Sequence, residues 1–222
     1  SAGTGGFSNL NLSIGGYNNV AAEVITTVFM LLFGVNFNMY YYMLSRQSGL
    51  VRDNEEFKLY FIIAIMSMLL IAGNIMPLYG DSFITSLRYS SFQVSSIMTT
   101  TGYSTVDFHL WPMFSKIILL TLMVIGASAG STGGGIKVAR LLIIFKAARR
   151  EIGMIIHPRR VQTVKIENST LDNSILVNVL VFVAMYTVIA FIAIIIISVD
   201  GYDFETTATA VIAALGNIGP GF

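Results

Sequence analysis

Apolar runs longer than the roughly 18 residues needed to cross a bilayer recur along this chain, and they decide its class. Soluble domains carry charge on about a quarter of their residues. Here 55% of the 222 residues are apolar and only 11% are charged. The long runs fall near residues 20–43, 57–79, 111–145 and 171–199. Roughly 24 helical residues rise about 36 Å, enough to span with some tilt. The chain is therefore expected to be an all-α polytopic membrane protein whose first partner is the lipid bilayer. It has no cysteine, which excludes a disulfide framework, a thiolate metal site and a cysteine nucleophile. No Ser/His/Asp set or carboxylate pair is placed for catalysis, so the chain does not read as an enzyme.

Between the runs lie segments too short and too polar to cross. Residues 1–19 are Gly/Asn/Ser-rich and read as a loop. Residues 20–56 read as a span ending in Tyr40-Tyr41-Tyr42, which suits the headgroup interface, and a charged loop from Arg46 to Glu56. Residues 57–145 hold a span, a short helix over 82–98, the strip Thr99-Thr100-Thr101-Gly102-Tyr103-Ser104-Thr105, and a long apolar run interrupted by glycines. That interruption is Gly126-Ala127-Ser128-Ala129-Gly130-Ser131-Thr132-Gly133-Gly134-Gly135. Each interior glycine costs a helix roughly 1 kcal/mol relative to alanine, so a break is expected there. Residues 146–170 form a basic loop containing His157-Pro158, and 171–222 hold a last span, a short helix over 204–215 and the strip 216–222. The opening Ser1-Ala2-Gly3 shows no initiator methionine or signal pattern, and the expectation is a piece of a longer protein.

Charge fixes the orientation. Of the thirteen Lys and Arg, three (Arg46, Arg52, Lys58) lie in the first connection and eight between 137 and 165. Positive loops stay cytoplasmic. With four alternating spans both basic loops fall inside, and the glycine strips near 1–8, 99–105 and 216–222 all fall outside.

Those strips form an internal repeat. Laying Gly5-Gly6-Phe7-Ser8, Thr101-Gly102-Tyr103-Ser104 and Ile218-Gly219-Pro220-Gly221 over one another puts Gly6, Gly102 and Gly219 in register. Thr4, Thr100 and Asn217, all polar, then stand two residues earlier. The unit is span, short helix, glycine strip, span. Desolvating a cation demands several oxygen ligands, and extended backbone supplies them from consecutive carbonyls. Glycine admits positive φ, which turns neighbouring carbonyls towards one axis. The short helix before each strip aims its partially negative C-terminal end at the same place. The candidate ion-binding residues are Thr4, Gly5, Gly6, Thr100, Thr101, Gly102, Tyr103, Asn217, Ile218 and Gly219. One strip cannot encircle an ion; about four can.

Other features carry less. The glycines of 126–135 also suit close helix packing by small residues. The run up to Lys137 lacks the Gly-Lys-Ser/Thr and preceding strand of a phosphate loop. His109 and His157 fall on opposite sides of the membrane. Lys116 is expected to snorkel or meet Asp107, Glu23 to sit in the headgroup zone, and Asn36, Asn38 and Asn74 to bond between helices. The rival from another class is an ion-coupled secondary transporter holding substrate at the midplane. Such a protein would need deep ionisable residues, and Lys137 alone qualifies.

With these residues in hand, the chain resembles the Trk/Ktr/HKT superfamily of potassium transporters, most closely its TrkH-type membrane subunits. The resemblance rests on Thr99–Thr105 followed by Trp111-Pro112, on Ala129–Arg140, on His157-Pro158, and on Gly216-Asn217-Ile218-Gly219-Pro220-Gly221-Phe222. It implies a potassium-channel-like fold of four pseudo-repeats, each a helix, pore helix, filter loop and helix. This chain would run from the second filter to the fourth. Potassium would be the substrate at the filter residues, with no cofactor bound by this chain. The resemblance also makes the glycine break a gate beneath the filter, formed by Gly126, Ser128, Gly130, Ser131, Thr132, Gly133, Gly134, Gly135 and Lys137. It implies a homodimer in the bacterial inner membrane, controlled by a cytosolic nucleotide-binding ring facing the basic segment. No nucleic-acid partner is expected.

Overall fold

The computed structural model describes residues 3–10, 13–156, 163–166 and 169–221, so His157-Pro158, Arg159, Arg160 and Phe222 lie outside the described residues. Among the described residues the regular structure is helical, apart from a two-residue antiparallel ladder pairing Lys165–Ile166 (β1) with Ser169–Thr170 (β2).

Helix α1 (Val20–Phe33) starts where the Asn19 side chain accepts the Ala21 and Ala22 N–H groups. Helix α2 (Phe37–Leu44) follows at a bend of 90°. The run 20–43, expected as one straight span, is thus broken at Gly34–Asn36. At the break residue 34 has room only for glycine: a Cβ there would overlap the Tyr60 hydroxyl and stand 2.7 Å from Thr99 Cγ2. Asn36 then restarts the helix by accepting the Asn38 N–H at 3.0 Å, a local cap and not the interhelical bond expected of it.

A short helix, α3 (Ser48–Asp53), leads to α4 (Glu55–Ile75), capped by Asn54 through the Phe57 N–H at 2.6 Å. Helix α5 (Phe83–Met98) is short and rich in serine, yet every residue from Phe92 to Met98 is buried. Several of its hydroxyls are satisfied on backbone carbonyls: Ser90 donates to Met68 at 3.0 Å and Ser95 to Ser91 at 2.6 Å. That is how so polar a helix sits among apolar ones, since a buried hydroxyl with a partner carries little penalty. The core joins α4, α5 and α6 (Met113–Ile125) through Tyr60, Ile71, Ile75, Ile97, Met98, Leu119, Leu122 and Met123. Between α4 and α6, Ser115 donates to Asn74 at 2.7 Å, the interhelical bond expected of that asparagine.

After the glycine segment come α7 (Val138–Ile156), α8 (Asn173–Ile197) and α9 (Phe204–Gly216). Helix α8 is apolar on every side and Val179 is its one buried residue, as fits a helix facing lipid. Two ion pairs correct the expectations for isolated charges. Lys116 meets Glu205 of α9 at 2.7 Å and not Asp107, whose carboxylate accepts the His109 N–H at 3.0 Å. Glu23 is 5% exposed and pairs with Arg88 of α5 at 3.0 Å, so it is a buried, partnered charge.

Candidate filter strips and glycine loop

Two of the strips begin where a short helix ends. In α5 the Thr100 N–H still reaches the Ile97 carbonyl, and the Thr101 N–H reaches back to Ser96 O at 2.8 Å. In α9 the Asn217 N–H reaches Ala214, and the Ile218 N–H reaches Ala213 O at 2.8 Å. Five residues separate donor and acceptor in the second bond of each. The two helices therefore hand over to their strips in the same way.

The backbone of the strips repeats as well. Thr4, Thr100 and Asn217 have φ of 45°, 56° and 53°, and two residues on Gly6, Gly102 and Gly219 have φ of 62°, 80° and 110°. Left-handed φ at alternate residues turns successive peptide planes over, so that carbonyls of one strip come to share a side. For asparagine this conformation is ordinary at a helix C-terminus. For threonine it is strained, by about 1–3 kcal/mol, and needs compensation from its surroundings.

The strips also lie side by side. A Cβ on Gly6 would overlap the Thr101 carbonyl oxygen, and a Cβ on Gly102 would overlap the Ile218 carbonyl oxygen. Thr101 and Ile218 occupy the same position, one before the glycine, so a single contact occurs twice around the assembly. No side chain fits at either place. Gly5 is different: a Cβ there would stand 3.1 Å from the ring of its own strip's Phe7, with no neighbouring strip against it. Tyr103 enters through its carbonyl, which accepts the Ser96 hydroxyl at 2.5 Å. The hydroxyls of Thr99 and Thr101 bond each other at 2.8 Å.

The glycine segment forms a loop between α6 and α7 whose ends are zipped together. The Ile136, Lys137 and Val138 N–H groups donate to Val124, Ile125 and Ala127. Gly126, Gly130, Gly135 and Lys137 all have left-handed φ, of 73°, 70°, 78° and 82°. Inside the loop Ser131 donates to the Ser128 carbonyl at 2.6 Å, and the Lys137 ammonium donates to Gly133 O at 2.6 Å.

This loop touches the N-terminal part of all three strips. Thr4 donates to Thr132 O at 3.0 Å, and the Gly134 N–H donates to the Thr100 hydroxyl at 2.8 Å. Those two bonds are the compensation the strained threonines need. A Cβ on Gly133 would stand 3.1 Å from Thr99 O, and one on Gly134 would overlap Gly216 O. The residues singled out in the sequence are thus brought together in two layers, strips on one side and loop on the other.

Three participants escaped sequence reasoning. Gly34 accepts the Ser128 N–H at 3.0 Å, Phe37 donates to Gly130 O at 3.1 Å, and Glu56 accepts the Ala129 N–H at 2.6 Å. All belong to segments read as plain span or charged loop.

Residues 65–222 match the TrkH family model, described as a cation transport protein. The chain belongs to the TrkH family. It is 35% identical over 224 residues to the Trk system potassium uptake protein TrkH of Salmonella typhimurium, covering 98% of this chain and 45% of that protein. It is 33% identical to the Trk system potassium uptake protein TrkG of Escherichia coli, with the same coverage. The crystal structure of the potassium transporter TrkH from Vibrio parahaemolyticus superposes with a TM-score of 0.90 at 31% identity, over 99% of this chain and 48% of that one. The chain thus spans a little under half the length of the relatives it matches. Its kin are membrane transporters and not enzymes.

Proposed function

We propose that this TrkH-family chain carries part of a potassium pathway across the bacterial inner membrane. Its substrate would be potassium, held by backbone carbonyls near Thr4–Gly6, Thr100–Tyr103 and Asn217–Gly219. The observation that carries this reading is the repeated strip geometry: left-handed φ at the same two positions in each strip, with Gly6 and Gly102 pressed on the next strip's carbonyl. Strips packed that closely, with no side chain between them, suit a site that offers backbone oxygens to a desolvated cation. The named potassium uptake function of the relatives supports the choice of ion.

The loop 126–137 would be the gate. It lies against the N-terminal part of each of the three strips, and its glycines allow a second conformation at low steric cost. Each of its bonds to the strips is a single hydrogen bond, so leaving them is energetically accessible. In the full-length protein, deleting part of 128–134 raises potassium flux if the loop obstructs the pathway. Unchanged flux in a correctly inserted protein would leave the loop as helix packing only. The secondary-transporter alternative gains nothing from Lys137, whose ammonium is engaged by its own loop's carbonyls. A homodimer, and a cytosolic nucleotide-binding ring docking on the basic side of α7, complete the proposal. Lys146, Arg149 and Arg150 lie on that side by the charge rule.

A further inference from the structure

The first turn of α4 carries two adjacent carboxylates, and both reach across to the loop and the helix that follows it. Glu55 pairs with Lys146 of α7, whose ammonium also donates to the Lys165 carbonyl at 2.7 Å. Glu56 is 8% exposed and its Oε1 accepts the Ala129 N–H at 2.6 Å. Ala129 sits at the turn of the loop, between Ser128, tied to Gly34, and Gly130, tied to Phe37. Farther along the same loop the Lys137 ammonium holds the Ser131 and Gly133 carbonyls at 3.4 and 2.6 Å.

We propose that Glu56 is a positioning residue for the gate, its carboxylate holding the 126–137 loop against the strips by accepting the Ala129 N–H. This rests on the loop being the gate. A buried carboxylate is expensive unless it is paired and hydrogen-bonded. A charge-assisted bond to a backbone N–H is among the stronger hydrogen bonds. When the loop leaves the strips Ala129 leaves Glu56, and a buried carboxylate gives up that donor. The loop's seated arrangement is therefore the one that Glu56 favours. Lys137 supplies opposite charge from within the loop, so carboxylate and ammonium brace one segment from two directions. The bond also joins the gate to the start of α4, where Glu55 and Lys146 meet on the basic side of the protein. A displacement of α7 there has a short route to the loop.

The test is basal rubidium uptake by the full-length protein in liposomes, normalised to inserted protein, for Glu56→Asp and Glu56→Gln. Aspartate keeps the charge but is one methylene too short to reach Ala129. Its uptake is expected to rise about fivefold or more, the lower range for leaving a buried donor unmatched. Glutamine keeps an acceptor at full reach, and its uptake is expected to lie between wild type and the aspartate variant. Relative potassium-over-sodium permeability stays that of wild type in both, which a general loosening of the fold would not preserve. If Glu56→Asp inserts poorly, Ala129→Pro removes the same N–H from the loop side and must also raise uptake. Glutamine raising uptake while aspartate leaves it at the wild-type level would overturn the proposal, because charge and not the bond would then matter. Deletion of 128–134 raising uptake while neither Glu56→Asp nor Ala129→Pro does would sink Glu56 and leave the gate standing. No rise from the deletion either would remove the gate itself.

Discussion

The Gly134 N–H donates to the Thr100 hydroxyl at 2.8 Å, joining the loop below the strips to the strained residue at the head of the central strip. Thr100 is 1% exposed, so the bond is shielded from water. One contact therefore does two things: it compensates the left-handed threonine and it seats the loop.

Thr100→Val removes the acceptor and keeps the shape. An unmatched buried N–H costs about 1–3 kcal/mol, charged here to the loop-seated arrangement alone. Basal potassium flux of the full-length protein is expected to rise, with Thr100→Ser giving a smaller change because it keeps the hydroxyl. Equal flux for the valine variant and wild type would mean that this bond does not hold the loop.

Gly134→Ala separates gating from packing. The added methyl would overlap the Gly216 carbonyl oxygen, a backbone atom unable to step aside. As a gate, the loop answers by leaving its seat, and flux rises. As mere packing, it answers by loosening the helices: the melting temperature in detergent falls while flux per inserted protein stays level. Measuring both on the same preparation decides between them.

Lys116 and Glu205 fasten α9, the short helix before the last strip, to α6. Their side chains are 14% and 30% exposed, so the pair is partly screened by its surroundings. A double-mutant cycle with Lys116→Met and Glu205→Gln is expected to give a coupling of about 1 kcal/mol, at the upper end for a pair open to solvent on one side. Additive effects on thermal stability would show that the pair contributes nothing of its own.

The register of the strips was legible because glycine at Gly6, Gly102 and Gly219 is a sequence-level mark of positive φ. The left-handed threonines were not, since threonine carries no such mark. They are held there by Thr132 and Gly134, which lie far along the chain. The break at 126–135 showed in composition. The bend at Gly34 did not, because the run stays apolar through Val35 and the neighbours of Gly34 at the break, Tyr60, Thr99 and Ser128, come from far along the chain. Hydropathy and charge assigned Glu23 and Lys116 to a depth in the membrane but to no direction around the helix. Their partners, Arg88 and Glu205, depend on how α1 meets α5 and α6 meets α9. Glu56 was hidden for a related reason: it closes a charged loop and reads as solvated until Ala129 is seen above it.

If the strips coordinate potassium through backbone carbonyls, Gly102 is the position where a side chain would disturb them most directly. Its φ is 80°, and any Cβ there would overlap the Ile218 carbonyl oxygen of the neighbouring strip. The direct measurement is potassium-over-sodium permeability of the full-length protein carrying Gly102→Ser, set against wild type. A fall of about tenfold is expected, equivalent to about 1.4 kcal/mol in relative ion binding. An unchanged ratio in a correctly inserted protein would contradict coordination by these carbonyls.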